Sequence, residues 1–300
     1  MALLLDGKKI SSQIKQELQR EVRELKQEEV YPNLGVILVG EFPPSVIYVQ
    51  NKENACQEVG IETRTLRLKE SITENELIQV INDWNEDSTL HGILVQMPLP
   101  SHIDHHRVLN TILPYKDVDG LSDMNLGKLV SGQEPYFYPC TPLGIIELLA
   151  HYQISLAGKH CVIVGRGELV GKPLANMLLL KKVYDYETNA TVTVCHSRSN
   201  NLRDYTIEAD ILIVAVGKPQ IIKESMVKSN AIVIDVGVNR QTIDENGKLK
   251  SKLVGDCDFE ELKNKVYAIT PVPGGVGPMT VAMLLKNTVR AAKIQRAFRK

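Results

Sequence analysis

Residues 160–180 read HCVIVGRGELVGKPLANMLLL. A short apolar run of strand length enters a glycine-bearing turn and leaves it in a helical pattern, which is the first half of a βαβ unit. Gly165 and Gly167 let the backbone approach a phosphate, and a helix after Gly171 would turn its free N–H groups toward that anion. The spacing G-x-G-x-x-x-G is one residue longer than the usual dinucleotide fingerprint. Its weight therefore comes from its place between a buried strand and a helix. Glycines that merely make a tight turn are the competing reading.

The end of the next strand bears on the cofactor. An NAD site places a carboxylate there for the ribose hydroxyls. This chain runs ATVTVCH (190–196) into Ser197 and Arg198. A hydroxyl and a guanidinium suit an additional phosphate, so NADP is expected rather than NAD, with Arg166 in the turn as a further contact. Before that strand and close to it, KKVYDYETN (181–189) forms a charged insertion that could reshape the adenosine pocket.

Outward from this unit, further apolar runs alternate with helical stretches. GVILVG (35–40), TRTLRL (63–68) and GILVQMPL (92–99) precede it, and DILIVAVG (210–217), AIVIDVGV (231–238) and YAITPV (267–272) follow it. Such alternation indicates largely parallel sheets. The expected fold is α/β, with two α/β lobes around a cleft, the second a Rossmann-like dinucleotide-binding domain. The expected domains are 1–120 plus 279–300 for the first lobe and 121–278 for the second.

A chain of 300 residues suffices for two domains, and 43% hydrophobic with 24% charged residues is the balance of an ordinary soluble protein. A net charge of −1 gives no electrostatic reason for a nucleic-acid or membrane partner. The start, MALLLDGKKI, reads as neither a secretory signal nor a membrane span. Five scattered cysteines without a C-x-x-C suit reduced, buried thiols and a cytoplasmic setting. SHIDHHR (101–107) has no cysteine ligands nearby, and no metal site is expected there.

In the first lobe, SVIYVQNK (45–52) puts Tyr48 and Lys52 one helical turn apart. That pair can be catalytic or a plain amphipathic surface. Gln96 falls at the end of a strand, where ligands of open α/β sheets bind. KDVDGL supplies Asp117 and Asp119, and PCTPLG (139–144) and TPVPGGVGPMT (270–280) are stiff turns. Each has a bland alternative as turn chemistry or strand-end hydrogen bonding.

Taken in order, YVQNK, VQMPLP, KDVDGL, VGRGELVGKP, DVGVN and TPVPGGVGPMTVAML closely resemble the bifunctional methylenetetrahydrofolate dehydrogenase/methenyltetrahydrofolate cyclohydrolase family. The resemblance runs from about LDGKKI to the last helix. It implies oxidation of methylenetetrahydrofolate with NADP, hydrolysis of the methenyl product to formyltetrahydrofolate, a role in one-carbon metabolism and a homodimer. By the same resemblance, Lys52 transfers protons, Tyr48 orients the pterin, Gln96 is an uncharged partner of Lys52, and Asp119 grips the pterin. Ser45, Val95, Met97, Pro273, Gly274 and Gly275 line the substrate site, while Val238 lies near the cofactor. Many members carry serine where this chain has Gly167, so one phosphate contact is expected to be missing. Tyr-x-x-x-Lys also marks short-chain dehydrogenases, but there the pair follows the nucleotide turn, and here it precedes it. A binding module without chemistry and a monofunctional enzyme are the remaining alternatives.

Overall fold

The computed structural model describes residues 1–245 and 248–298. The chain divides into two compact units, residues 12–140 with 281–300 and residues 1–11 with 141–280. The sequence-based division at 120 falls earlier than this one because the segment after it is tied back. Asn125 donates to Asp117 Oδ2 (2.9 Å) and to the Pro114 carbonyl (3.0 Å), and its own oxygen accepts from Tyr136 N (3.1 Å).

The first unit is built on three parallel strands in the order Glu62–Leu68, Asn33–Val39, Gly92–Val95. The central strand is almost wholly buried, as its unbroken apolar run requires. Ile37, Val39, Ile93 and Val95 pack with Leu77, Ile81 and Trp84. Gly35 makes this packing possible, since a Cβ there would stand 2.6 Å from the Trp84 ring. The helix supplying those residues, Glu74–Glu86, starts with a reciprocal cap in which Thr73 and Glu76 satisfy each other's backbone N–H.

The helix Pro43–Val59 follows the central strand. Two prolines suit its first turn, where no backbone donor is needed. It ends at Gly60, whose φ of +82° is the left-handed conformation that glycine adopts without a side-chain clash. The loop 116–118 then runs beside Gly92–Val95, with Ile93 N donating to the Lys116 carbonyl at 2.8 Å. The Lys116 ammonium donates to the carbonyls of Trp84, Asn85 and Asp87, which closes the C-terminal end of the helix Glu74–Glu86.

The second unit contains six parallel strands in the order Leu3–Leu4, Ala268–Ile269, Ile232–Asp235, Ile211–Val214, His160–Val164, Thr191–Cys195. The chain reverses direction across the sheet between His160–Val164 and Ile211–Val214, and open α/β sheets bind ligands at the carboxyl ends of such strands. Two elements carry no apolar signal and were not foreseen. These are the antiparallel hairpin Asn239–Glu245 with Lys248–Val254 and the short hairpin Lys182–Val183 with Tyr186–Glu187. All five cysteines are unpaired and buried. Among the described residues, no helix is long and apolar enough to cross a membrane.

Candidate functional site

In the first unit, three elements place their polar ends together. The helix Pro43–Val59 carries Ser45, Tyr48, Lys52 and Cys56. Ser45 is buried, with its Oγ 3.4 Å from the Met97 carbonyl that accepts from it, whereas Tyr48 is 43% exposed. Lys52 Nζ donates to Gln96 Oε1 at 2.9 Å, and Gln96 Nε2 donates to the Met97 carbonyl at 2.7 Å. Val95, expected among the substrate contacts, turns its side chain into the core, and Met97 is partly buried beside it. Any contact from Val95 to a ligand is therefore through its backbone.

The two aspartates of KDVDGL have different environments. The Asp117 carboxylate is consumed by its own loop, accepting from Gly120 N (3.1 Å), Ser122 N (2.8 Å) and Asn125 Nδ2 (2.9 Å). Asp119 is partly exposed and interacts electrostatically with Lys52 and Cys140. The geometry thus separates a turn-forming carboxylate from one free to meet a ligand.

Burial pushes Lys52 below the ordinary lysine value, against the opposing attraction of Asp119. Burial also pushes Asp119 above the ordinary carboxylate range, against the attraction of Lys52. Desolvation dominates in both groups, so each is drawn toward its neutral form. Two thiols complete the surroundings of Lys52. Cys56 lies one turn along the same helix and is pushed up to about 12 by burial, and burial also raises Cys140 well above the ordinary thiol value. Cys56 was legible as a neighbour from its i+4 spacing to Lys52. Cys140 comes from a segment distant in the chain and carried no such signal.

In the second unit, the turn after His160–Val164 forms a backbone cradle. Gly165 has φ +125°, and a Cβ on it would lie 2.2 Å from the Ala215 carbonyl oxygen, so no other residue fits without movement. A Cβ on Gly171 would lie 2.1 Å from the Gly165 oxygen. Gly167 differs, since a Cβ there would meet nothing within 4 Å. Arg166, Ser197 and Arg198 are exposed at the carboxyl ends of neighbouring strands, and Val238 is 47% exposed beyond Ile232–Asp235. This donor set, two guanidiniums and a hydroxyl near a glycine turn, fits a dinucleotide bearing an extra phosphate.

The insertion 181–189 lies at the amino end of Thr191–Cys195, away from Ser197 and Arg198. It precedes Thr191–Cys195, whereas Ser197 and Arg198 follow that strand. Five residues at roughly 3.3 Å each separate the hairpin from the carboxyl edge by about 17 Å. The hairpin is fastened instead through Tyr186, whose hydroxyl donates to the buried Glu147 carboxylate at 2.5 Å.

Two buried aspartates hold the same edge together. Asp235 accepts from Gly237 N, Asp256 N and Cys257 N at 2.8–3.0 Å, and burial pushes it up to about 6. Asp256 accepts from Val216 N (2.7 Å), Gly217 N (3.0 Å) and Asn239 Nδ2 (2.9 Å). Pro273, Gly274 and Gly275 lie in the turn before the helix Val276–Phe298. There Lys8 N donates to the Gly274 carbonyl at 2.9 Å, and a Cβ on Gly7 would overlap the Gly275 oxygen. His102, in the histidine cluster, has its Nε2 2.9 Å from the Ile72 carbonyl.

Residues 5–119 match the family model for the tetrahydrofolate dehydrogenase/cyclohydrolase catalytic domain, and residues 139–296 match the model for its NAD(P)-binding domain. The bifunctional protein FolD of Acetivibrio thermocellus is 51% identical over 294 residues, covering 98% of each chain. That of Streptococcus uberis is 50% identical over 293 residues, covering 97% of this chain and 98% of the relative. Among solved structures, the Campylobacter jejuni FolD methylenetetrahydrofolate dehydrogenase/cyclohydrolase superposes with a TM-score of 0.91 at 49% identity, covering 98% and 99% of the two chains. The Trypanosoma brucei enzyme, solved with NADP cofactor and inhibitor, gives a TM-score of 0.91 at 35% identity, covering 100% and 99%.

Proposed function

The chain belongs to the tetrahydrofolate dehydrogenase/cyclohydrolase family, and we propose that Lys52 is the group that moves protons in the hydrolytic half of that chemistry. The protein is a bifunctional enzyme. It oxidises 5,10-methylenetetrahydrofolate to the 5,10-methenyl form with NADP and hydrolyses that product to 10-formyltetrahydrofolate. We assign folate recognition to the three-stranded unit and the cofactor to the six-stranded one.

NADP, when bound, accepts the hydride that leaves the methylene carbon. The two flanking nitrogens of the folate stabilise the cation left behind, so the step needs alignment more than a strong base. On this reading Arg166, Ser197 and Arg198 hold the phosphate end of the cofactor, and Gly165 lets the backbone come close. Val238 would lie near the bound cofactor.

Hydrolysis needs a base and then an acid. Neutral Lys52 takes a proton from the water attacking the bridging carbon, and it returns a proton to the ring nitrogen as the carbon–nitrogen bond breaks. The hydroxyl proton of the adduct leaves as the formyl carbonyl forms. A lysine of ordinary basicity is a poor base at neutral pH. Its depressed basicity, together with the 2.9 Å contact to an uncharged Gln96, is the observation that carries the reading. Asp119 binds the pterin ring N–H and amino group, Tyr48 orients the ring from its exposed position, and Ser45 and Met97 support that wall. Pro273, Gly274 and Gly275 are assigned to the substrate on the family resemblance. A homodimer and a cytoplasmic location extend the same reading, the latter supported by five unpaired cysteines.

The test follows absorbance of purified protein given methylenetetrahydrofolate with NADP, and with NAD in parallel. Reduction of NADP without lasting accumulation of the methenyl product is the expected result. Lasting accumulation in the wild-type protein would remove the proton-transfer role of Lys52.

A further inference from the structure

We propose that Asn287 is a positioning residue of the folate site, locking the loop that carries Asp119 against the loop that carries Cys140. This rests on the reading of Asp119 and Lys52 given above. Asn287 lies in the helix Val276–Phe298, 169 residues beyond Val118, and is 1% exposed. Its Nδ2 donates to the Val118 carbonyl at 2.8 Å and to the Tyr138 carbonyl at 3.3 Å, and it approaches Cys140 Sγ at 3.5 Å. One amide therefore bridges the residue immediately before Asp119 to two members of the 138–140 segment.

The two loops have no slack. A Cβ on Gly120 would lie 2.7–2.8 Å from backbone atoms of Phe137, Tyr138 and Pro139. Two further cross-links are Cys140 N to the Asp119 carbonyl at 3.4 Å and the Cys140 thiol to the Val118 carbonyl at 3.3 Å. The amide bond at 2.8 Å is the shortest tie among the cross-links named here.

The chemistry of the thiol gives this tie a consequence at the site. Cys140 has one S–H and two acceptors in reach, the Val118 carbonyl and the Asp119 carboxylate. The Val118 carbonyl has two lone pairs and here accepts from both the Asn287 amide and the thiol; a thiol proton turned to the carboxylate instead favours its ionised form. Without the amide, the buried Val118 carbonyl draws more strongly on that proton. Asp119 then loses both its alignment and a hydrogen bond that keeps it charged for the pterin.

The experiment compares Asn287→Leu, which keeps the volume and removes the donor, with Asn287→Ser, which retains a hydroxyl donor. Thr288→Val serves as a packing control, since the Thr288 hydroxyl only bonds the Leu284 carbonyl within the same helix. Both half-reactions are measured against pH, with thermal unfolding alongside. In Asn287→Leu the KM for folate substrate is expected to rise about tenfold, with the KM for NADP unchanged, matching one lost hydrogen bond to a charged group. For the dehydrogenase half, which does not draw on Lys52 as a base, the acid limb of kcat/KM is expected to move up by about one pH unit, and Asn287→Ser should recover part of both changes. Thr288→Val should lower Tm and leave the folate KM and the limb in place.

An Asn287→Leu protein that loses Tm but keeps the wild-type folate KM and acid limb overturns the proposal. Should Asn287→Leu not fold, Asn287→Ser decides alone: a raised folate KM supports the role, and a wild-type KM overturns it. Asp119→Asn in the same series separates the two levels of the argument. If Asp119→Asn keeps its folate KM, the assignment of the pterin site fails and this proposal with it. If only Asp119→Asn raises KM, the positioning role alone is wrong.

Discussion

Lys52 and Gln96 meet across 44 residues of chain at 2.9 Å, and the amide is held oxygen-first toward the lysine because its nitrogen is committed to the Met97 carbonyl. A neutral acceptor lets Lys52 shed its proton, whereas a carboxylate would stabilise the ammonium. Gln96→Glu is therefore expected to cut hydrolysis of the methenyl substrate by about 10²-fold at neutral pH, the lower range for loss of a general base. Stopped-flow decay of the methenyl absorbance checks this. A Gln96→Glu enzyme as fast as the parent would show that the proton on Lys52 is irrelevant.

The pH profile of hydrolysis should rise as pH climbs through the depressed Lys52 value and level off below the range of a free lysine. Stability follows with a defined sign. The folded state sheds this proton more readily than the unfolded one, so the group costs stability at neutral pH and the cost fades as pH rises toward the unfolded value. Lys52→Met should thus lose hydrolysis yet melt higher than the parent at pH 7. Calorimetry showing a lower Tm would contradict the desolvation account.

Asp117 and Asp119 should separate cleanly under substitution. Asp117→Ala takes the acceptor from Ser122 N and from one Asn125 Nδ2 proton, while Gly120 N keeps the Asp117 backbone carbonyl at 3.0 Å, so the cost is about 2 kcal/mol. Asp119→Ala should leave urea unfolding close to the parent while raising the folate KM. The reverse pattern would exchange their roles.

Gly165→Ala and Gly167→Ser should move cofactor affinity in opposite directions. The first drives a methyl group into the Ala215 carbonyl, and the second adds a hydroxyl in open space beside the phosphate turn. A higher KM for NADP in Gly165→Ala and a lower one in Gly167→Ser are expected from steady-state kinetics. An unchanged KM in Gly167→Ser would place the phosphate elsewhere.

Asp235 gathers three backbone N–H groups, and removing it as Asp235→Ala should destabilise the protein by about 3 kcal/mol and raise the KM for NADP. Its folded value of about 6 lies above that of a free aspartic acid. The folded state then holds more protons between about pH 4 and 6, so this group's contribution falls as pH rises through that window. The gap between parent and Asp235→Ala in urea unfolding should be wider at pH 5 than at pH 7.

Buried parallel strands were legible because each must be apolar on both faces, and Ile37, Ile93, Ile163 and Ile213 all lie in runs of that kind. The Tyr48–Lys52 spacing was legible because a helix converts four residues into one turn. The hairpin Asn239–Glu245 with Lys248–Val254 was not, since its alternation is weak and its composition polar. Asp117 and Asp119 could not be told apart in sequence. What distinguishes them is the donors that fold back on Asp117, and two of these come from Ser122 and Asn125 beyond the motif. Asn287 was invisible for the same reason, its partners lying near residues 118 and 140.

The pairing of Leu3 with Ala268 and Leu4 with Ile269 sets a timetable for synthesis. Leu3–Leu4 gains its partner only when a strand 265 residues further along (268 minus 3) has been made. At roughly 5–20 residues per second, that is an interval of about 13–53 s on the ribosome. During it, the apolar segment has no sheet to join and is open to chaperones. The six-stranded sheet thus acquires its outermost strand only once Ala268–Ile269 has been made, and ribosome-bound chains that stop before about residue 270 should be protease-sensitive around Leu3–Leu4.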